Sequence, residues 1–316
     1  MATSGVSTFN VTGNDIVEKA LAIVTVRDAE IAFYNNELSD GLQTLNIYMK
    51  YLMSQGLHLW TRTEGVLFLD AGITSYMAGP SGAECCLASD FVQTAMSTAA
   101  VVTATTLVVD STTGMTAGDY IGIKLDDQTR QWTTIVSVDS AVGLTITAAL
   151  TDASAIDNSV FTFTTLIERP LRIESARRSS LTSNTEIELT KWSRQQYFAQ
   201  TDKTSQGVPT SFYYDPQLVD GEIHIWQTAS SVDQLVRFTF QRSIEDIVTS
   251  GNNPDFPVEW AQPLIWGLAA LIGHEYEVSL PKMQMIEQKA QIMEQEILGW
   301  DQEITSLNIK PNFRGV

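Results

Sequence analysis

Carboxylates dominate the residues that could do chemistry in this chain. It has 316 residues, with 37 Asp and Glu against 19 Lys and Arg, and a formal net charge of −18. Two carboxylates flanking a sugar linkage can act as the acid and base of a glycosidase. The candidates are Asp126-Asp127, Glu245-Asp246, and Glu275 with Glu277. Asp126-Asp127 lies between two alternating apolar runs and reads as a solvated hairpin turn. Glu245-Asp246 follows a strand and reads as the start of a helix or turn. Glu275 and Glu277 read as helix residues that pair with cations of a neighbour.

The other reactive types are sparse. His58 and His224 alternate with apolar residues on strands, and His274-Glu275-Tyr276-Glu277 lacks the second His of a zinc-protease helix. There is no G-x-S-x-G and no phosphate-cradling glycine loop with its Lys. The cysteines are Cys85 and Cys86 alone. Neighbouring cysteines close only a strained ring, so reduced, partly buried thiols are expected. No Cys/His cluster has metal-ligand spacing. The expectation is a chain without catalytic residues, cofactor or metal. Arg177-Arg178 is the one basic pair and reads as a surface pair or a contact to an acidic neighbour. Trp226, Tyr213 and Tyr214 read as core or interface anchors before a sugar platform. Near the end, Lys310-Pro311-Asn312-Phe313-Arg314 sets a ring between two cations in an acidic region, a pattern suited to docking on an acidic partner.

The elements follow from periodicity. A helix capped by Asn14 or Asp15 is expected to run to about Val26, and a second from Asp40 to Ser54, ended by Gly56. From about Ser89 to Thr164 the chain turns rich in Thr, Val, Ala and Asp, with one Lys and one Arg. About five short alternating strands there predict a small barrel or sandwich. Its aromatics Phe91, Tyr120, Trp132, Phe161 and Phe163 fall mostly on alternating core positions. The block Thr190–Asp246 is the most distinctive: a capping box at Ser193 and Gln196, a Gly207/Pro209 turn, and a meander with Ile223, Ile225, Phe238 and Phe240 on one face. A helical pair follows, broken and reopened at Pro281 and capped by Gly299.

The fold class expected is α+β. Helical bundle elements from both terminal regions pack with an antiparallel meander, and a small all-β domain is inserted. The divisions are 1–88 (arm, helices and start of the body), 89–164 (inserted β-domain), 165–250 (β-platform), 251–303 (C-terminal helices) and 304–316 (extended tail). No apolar run reaches the roughly 20 residues of a membrane span, and the N-terminus shows no secretory pattern. No segment is basic, which argues against gripping nucleic acid through its phosphates.

In order along the chain stand G-L-x-L-W-T-x-x-E-G (Gly56 to Gly65), S-R-Q-Q-Y (Ser193 to Tyr197), K-T-x-Q-G-x-P-T-x-F-Y-Y-D (Lys203 to Asp215), I-x-I-W (Ile223 to Trp226) and P-D-F-P-x-E-W around Pro257. Taken jointly, these resemble the head-to-tail adaptor family of tailed bacteriophages, also called tail accessory factors or DNA-stabilisation proteins. The resemblance covers roughly residues 1–80 and 165–300. Its motif residues include Gly207, Pro209, Tyr213, Tyr214, Asp215, Trp226 and Pro257. It implies a homo-oligomeric ring of twelve copies in the virion neck, assembled in the host bacterial cytoplasm. The partners it implies are the portal protein, tail nozzle or fibre proteins, and passing double-stranded DNA bound without sequence preference. The C-terminal helices and tail would meet the portal. Competing readings are a receptor- or glycan-binding tail protein acting through the insert, and a cell-wall hydrolase.

Overall fold

The structure, a computed structural model, describes residues 9–25, 33–56, 59–181 and 185–301. It is mixed α+β, with curled, mainly antiparallel sheets. In chain order the elements begin with α1 (Gly13–Val24), α2 (Asn35–Gln55), β1 (Arg62–Phe68), β2 (Ser75–Ala78), β3 (Cys85–Leu87) and β4 (Val92–Ala95). Next come β5 (Thr106–Val108), β6 (Tyr120–Lys124), β7 (Arg130–Val138), β8 (Gly143–Ile146), β9 (Ser159–Phe163), β10 (Arg172–Ser180) and β11 (Glu186–Lys191). Then follow α3 (Arg194–Ala199), β12 (Gln206–Gly207), β13 (Ser211–Pro216), β14 (Gly221–Trp226), β15 (Thr228–Ala229), β16 (Gln234–Gln241), α4 (Ala261–Ile272) and α5 (Leu280–Trp300). They form two compact units, Arg62–Ser243 and the flanking Met1–Thr61 with Ile244–Val316.

The flanking unit is helical. Its cap differs from expectation: Thr12, not Asn14 or Asp15, caps α1. Asp15 sits at the third helical position, where its N–H donates to Thr12 Oγ1 at 3.2 Å and its carboxylate accepts from Thr12 N at 2.9 Å. Likewise α2 starts at Asn35 rather than Asp40, because Glu37 accepts from Tyr34 N at 2.9 Å and secures an earlier turn. Leu45, Met49 and Leu52 of α2 meet Ile16, Val17 and Ala20 of α1 and Leu264 and Leu268 of α4 in one core. Trp60, Phe256 and Trp260 close it with ring centroids 5.3 Å apart. Pro281 opens α5 as expected, whereas Gly299 lies inside that helix. Glu275 and Glu277 lie in the turn between α4 and α5, not on a helix. Among the described residues, no helix is long and apolar enough to cross a membrane.

The second unit holds an eight-stranded sheet in the order β2-β14-β13-β11-β10-β16-β1-β3. Its one parallel pairing is β11 with β13. The sheet curls so that Leu67, Tyr76, Cys85, Phe212, Tyr214, Ile223, Ile225, Phe238 and Phe240 share one interior. Gly65 makes room there, since a Cβ at that position would stand 2.6 Å from the Phe238 ring. A six-stranded sheet, β4-β9-β6-β7-β8-β5, forms a near-barrel. A bridge between Met96 and Val109, with Asp110 N donating to Ala95 O at 3.0 Å, joins its two edge strands. Its interior is aliphatic: Leu107, Val109, Ile121, Ile123, Ile135, Leu144, Ile146 and Val160 among others.

Candidate interaction surface

The residues of the Thr190–Asp246 block build an aromatic layer on the outer face of the curled sheet. Strand alternation turns Phe212 and Tyr214 inward and Tyr213 outward. Tyr213 pairs across the strands with His224, and their rings stack at 5.5 Å and 6°. Helix α3 lies over them. Ser193 caps it by accepting from Gln196 N at 3.3 Å, while Gln196 Oε1 accepts from Ser193 N at 2.8 Å. A six-residue helix has little stability alone. Tyr197 supplies the anchor, 4.7 Å from His224. Phe198 is 52% exposed, between Arg194 at 5.2 Å and Lys203 at 5.7 Å from its ring.

The motif residues have structural contacts. Trp226 stacks on Trp192 at 5.2 Å and donates its indole N–H to Asp202 O at 3.0 Å. Asp215 pairs with Arg194 at 3.1 Å. Tyr214 donates its hydroxyl to Pro170 O from inside the sheet. Gly207 pairs in register with Ala229, and Pro209 is buried. Pro257 belongs to the helical unit, where it precedes the turn Val258–Trp260. Burial pushes His224 below the usual imidazole range, against the pull of Glu222 and Asp215. Glu222, the acid closest to hand, stands 3.6 Å from Nε2.

The remaining sequence candidates are dispersed. Asp127 accepts from Thr129 N and Oγ1 and shapes the β6–β7 turn, while Asp126 accepts from Ala155 N and Asn158 and ties that turn to the segment before β9. Cys85 faces the curled interior and Cys86 the opposite face; burial pushes both thiols up. Arg177 bonds Glu64 and Glu186, a ladder within the sheet, so the pair with Arg178 is not simply a surface pair. His274 lies 3.3 Å from Glu287. Among the described residues no group of His, Cys, Asp and Glu could hold a metal. His58 and the Lys310–Arg314 segment lie outside the described residues.

The aromatics of residues 89–164 correct the sequence reading. Phe91, Tyr120, Trp132, Phe161 and Phe163 are absent from the near-barrel interior and line a seam against Val66, Phe68, Cys86 and Leu235 of the curled sheet. Phe68 enters among them, 4.9 Å from Phe161 and 5.2 Å from Trp132. Gly122 leaves space for Trp132, whose ring would be 2.7 Å from a Cβ there. The seam also takes the segment's one Lys and one Arg, which are cross-strand partners at the β6–β7 turn. Lys124 pairs with Asp233 at 2.8 Å. Arg130, its side chain fully buried, donates to Val232 O at 2.6 Å and Leu69 O at 3.4 Å, and lies over Phe68 and Phe161. Sequence reasoning passed over both cations. The available signal was their rarity: two cations in a stretch holding eight Asp and no Glu.

Beside the seam, a groove of about 500 Å³ runs along Tyr120, Leu166, Ile167, Arg169 and Val219. Two exposed apolar residues, Leu218 (92%) and Val219 (61%), occupy the adjoining β13–β14 turn. No known family model matches the chain, and no curated protein matches it.

Proposed function

We propose that this chain is a structural head-to-tail adaptor of a tailed bacteriophage, a ring-forming subunit that docks on the portal and links it to the tail. The supporting observation is what the distinctive residues do. Tyr213, Tyr214, Asp215 and Trp226 make stacking, hydrogen-bond and ion-pair contacts that stiffen a strand pair, and do not converge on a reacting position. A rigid platform of this kind suits a subunit whose work is contact. In the same reading, residues 89–164 are an inserted domain carried by the platform, the terminal helices face the portal, and the ring keeps the DNA channel continuous or closed. Net charge −18 per copy suits a channel through which DNA slides.

The glycan-binding reading places aromatics on the free surface of the insert. Its five aromatics lie in the seam instead, which favours the adaptor. The test is the portal contact. Truncation after Ser306 removes Lys310, Pro311, Asn312, Phe313 and Arg314. Loss of binding to the cognate portal, with ring formation kept, supports the assignment; undiminished binding removes the tail from it.

A further inference from the structure

Asp70 follows β1 by two residues and lies beside the seam. Its Oδ1 stands 3.6 Å from Arg130 Nη1, too far for a hydrogen bond, and this buried oxygen receives none. Arg130 is held by other groups: two backbone carbonyls and two aromatic faces. The cation therefore keeps partners without the carboxylate, while Oδ1, the buried oxygen of a side chain that is 20% exposed, has only a distant cation to offset its loss of water.

We propose that Arg130 and Asp70 form a proton-sensitive latch that fastens the near-barrel to the curled sheet and tightens on acidification. The charged and titratable groups around Asp70 are Arg130 of β7, Tyr76 of β2 and Glu84 of the segment before β3; Asp233, beside Lys124, acts on Arg130. Tyr76 Oη accepts from Asp70 N at 2.9 Å and donates to Asp70 O at 3.1 Å, fixing the backbone. Burial, helped by Glu84 and opposed by Arg130, raises Asp70 from 3.8 to about 6. When the seam opens, water reaches Asp70 and its proton affinity falls toward the ordinary value. The closed seam thus holds the proton more tightly. Closure is strongest below about pH 4 and weakens as pH rises through about 6. This inference stands apart from the adaptor reading, since it needs neither ring nor portal.

Cys86 lies in the seam and reports its opening. The full chain and Asp70→Asn are labelled with a thiol reagent at pH 5 to 7.5, and modified Cys86 is read by mass spectrometry. Comparison at each pH cancels the intrinsic pH dependence of the thiol. At pH 7.5 the native chain should label faster, up to on the order of a hundredfold, and the gap should shrink to about tenfold at pH 5. Equal rates at pH 7.5, or slower labelling of the native chain, would overturn the latch. If Asp70→Asn does not fold, the denaturant midpoint read by Cys86 labelling decides with the native chain alone. It should rise as pH falls from 7.5 to 5; a fall over that range overturns the proposal.

Discussion

The near-barrel interior and the seam beside it are made by the same strands and differ in composition. The interior is aliphatic, filled by Ile121, Ile123, Leu144 and Val160. The seam is aromatic and contains a buried cation, with Phe68, Phe161, Phe163 and Trp132 around Arg130. Small branched side chains from alternating strand positions fill the inside of the near-barrel. A seam between two sheets has a wider gap, and rings fill it with few side chains. A guanidinium adds orientation, because its donors must meet Leu69 O and Val232 O. The interior therefore holds the near-barrel's shape, and the seam fixes its direction on the curled sheet.

Substitutions can break that comparison. Arg130→Ala should cost the most, about 3–5 kcal/mol, because it removes the buried cation from the carbonyls and carboxylate facing it. Phe161→Ala should cost a similar amount, about 3–5 kcal/mol. Both should raise Cys86 reactivity, whereas Ile123→Val in the interior should cost about 0.5–1.5 kcal/mol and leave it unchanged. Denaturant unfolding with thiol labelling separates the cases. Equal Cys86 effects from interior and seam variants would erase the distinction.

Smaller effects sharpen it. Gly65→Ala places a methyl against Phe238 in the curled interior and should cost about 1–3 kcal/mol. Ser193→Ala removes the α3 cap and should cost about 1 kcal/mol, read as faster amide exchange at Gln196. Lys124→Ala should cost under about 1 kcal/mol, since Asp233 is part-exposed and screened. A large effect there would move the anchor of the seam from Arg130 to Lys124.

Local patterns were legible in the sequence; side-chain partners across long separations were not. Alternation placed Ile223, Ile225, Phe238 and Phe240 on one interior, and the Ser193–Gln196 spacing gave the α3 cap. The cap of α1 moved to Thr12 because a capping box is a reciprocal pair, and Asp15 is its acceptor end. The seam aromatics misled because every strand has two faces. Period-2 alternation marks an apolar outer face as readily as an inner one, and only the docked sheet decides which is which. Arg130 was passed over because its partners Leu69 and Val232 lie 61 and 102 positions away. His224 was placed on its strand, but its stacking partners came from α3 and β13.

The adaptor assignment is tested most directly by electron microscopy of the purified protein with its cognate portal. The account predicts a closed ring of identical copies, twelve by the resemblance, seated coaxially on the portal. A monomer that leaves the portal bare at micromolar concentration would contradict it.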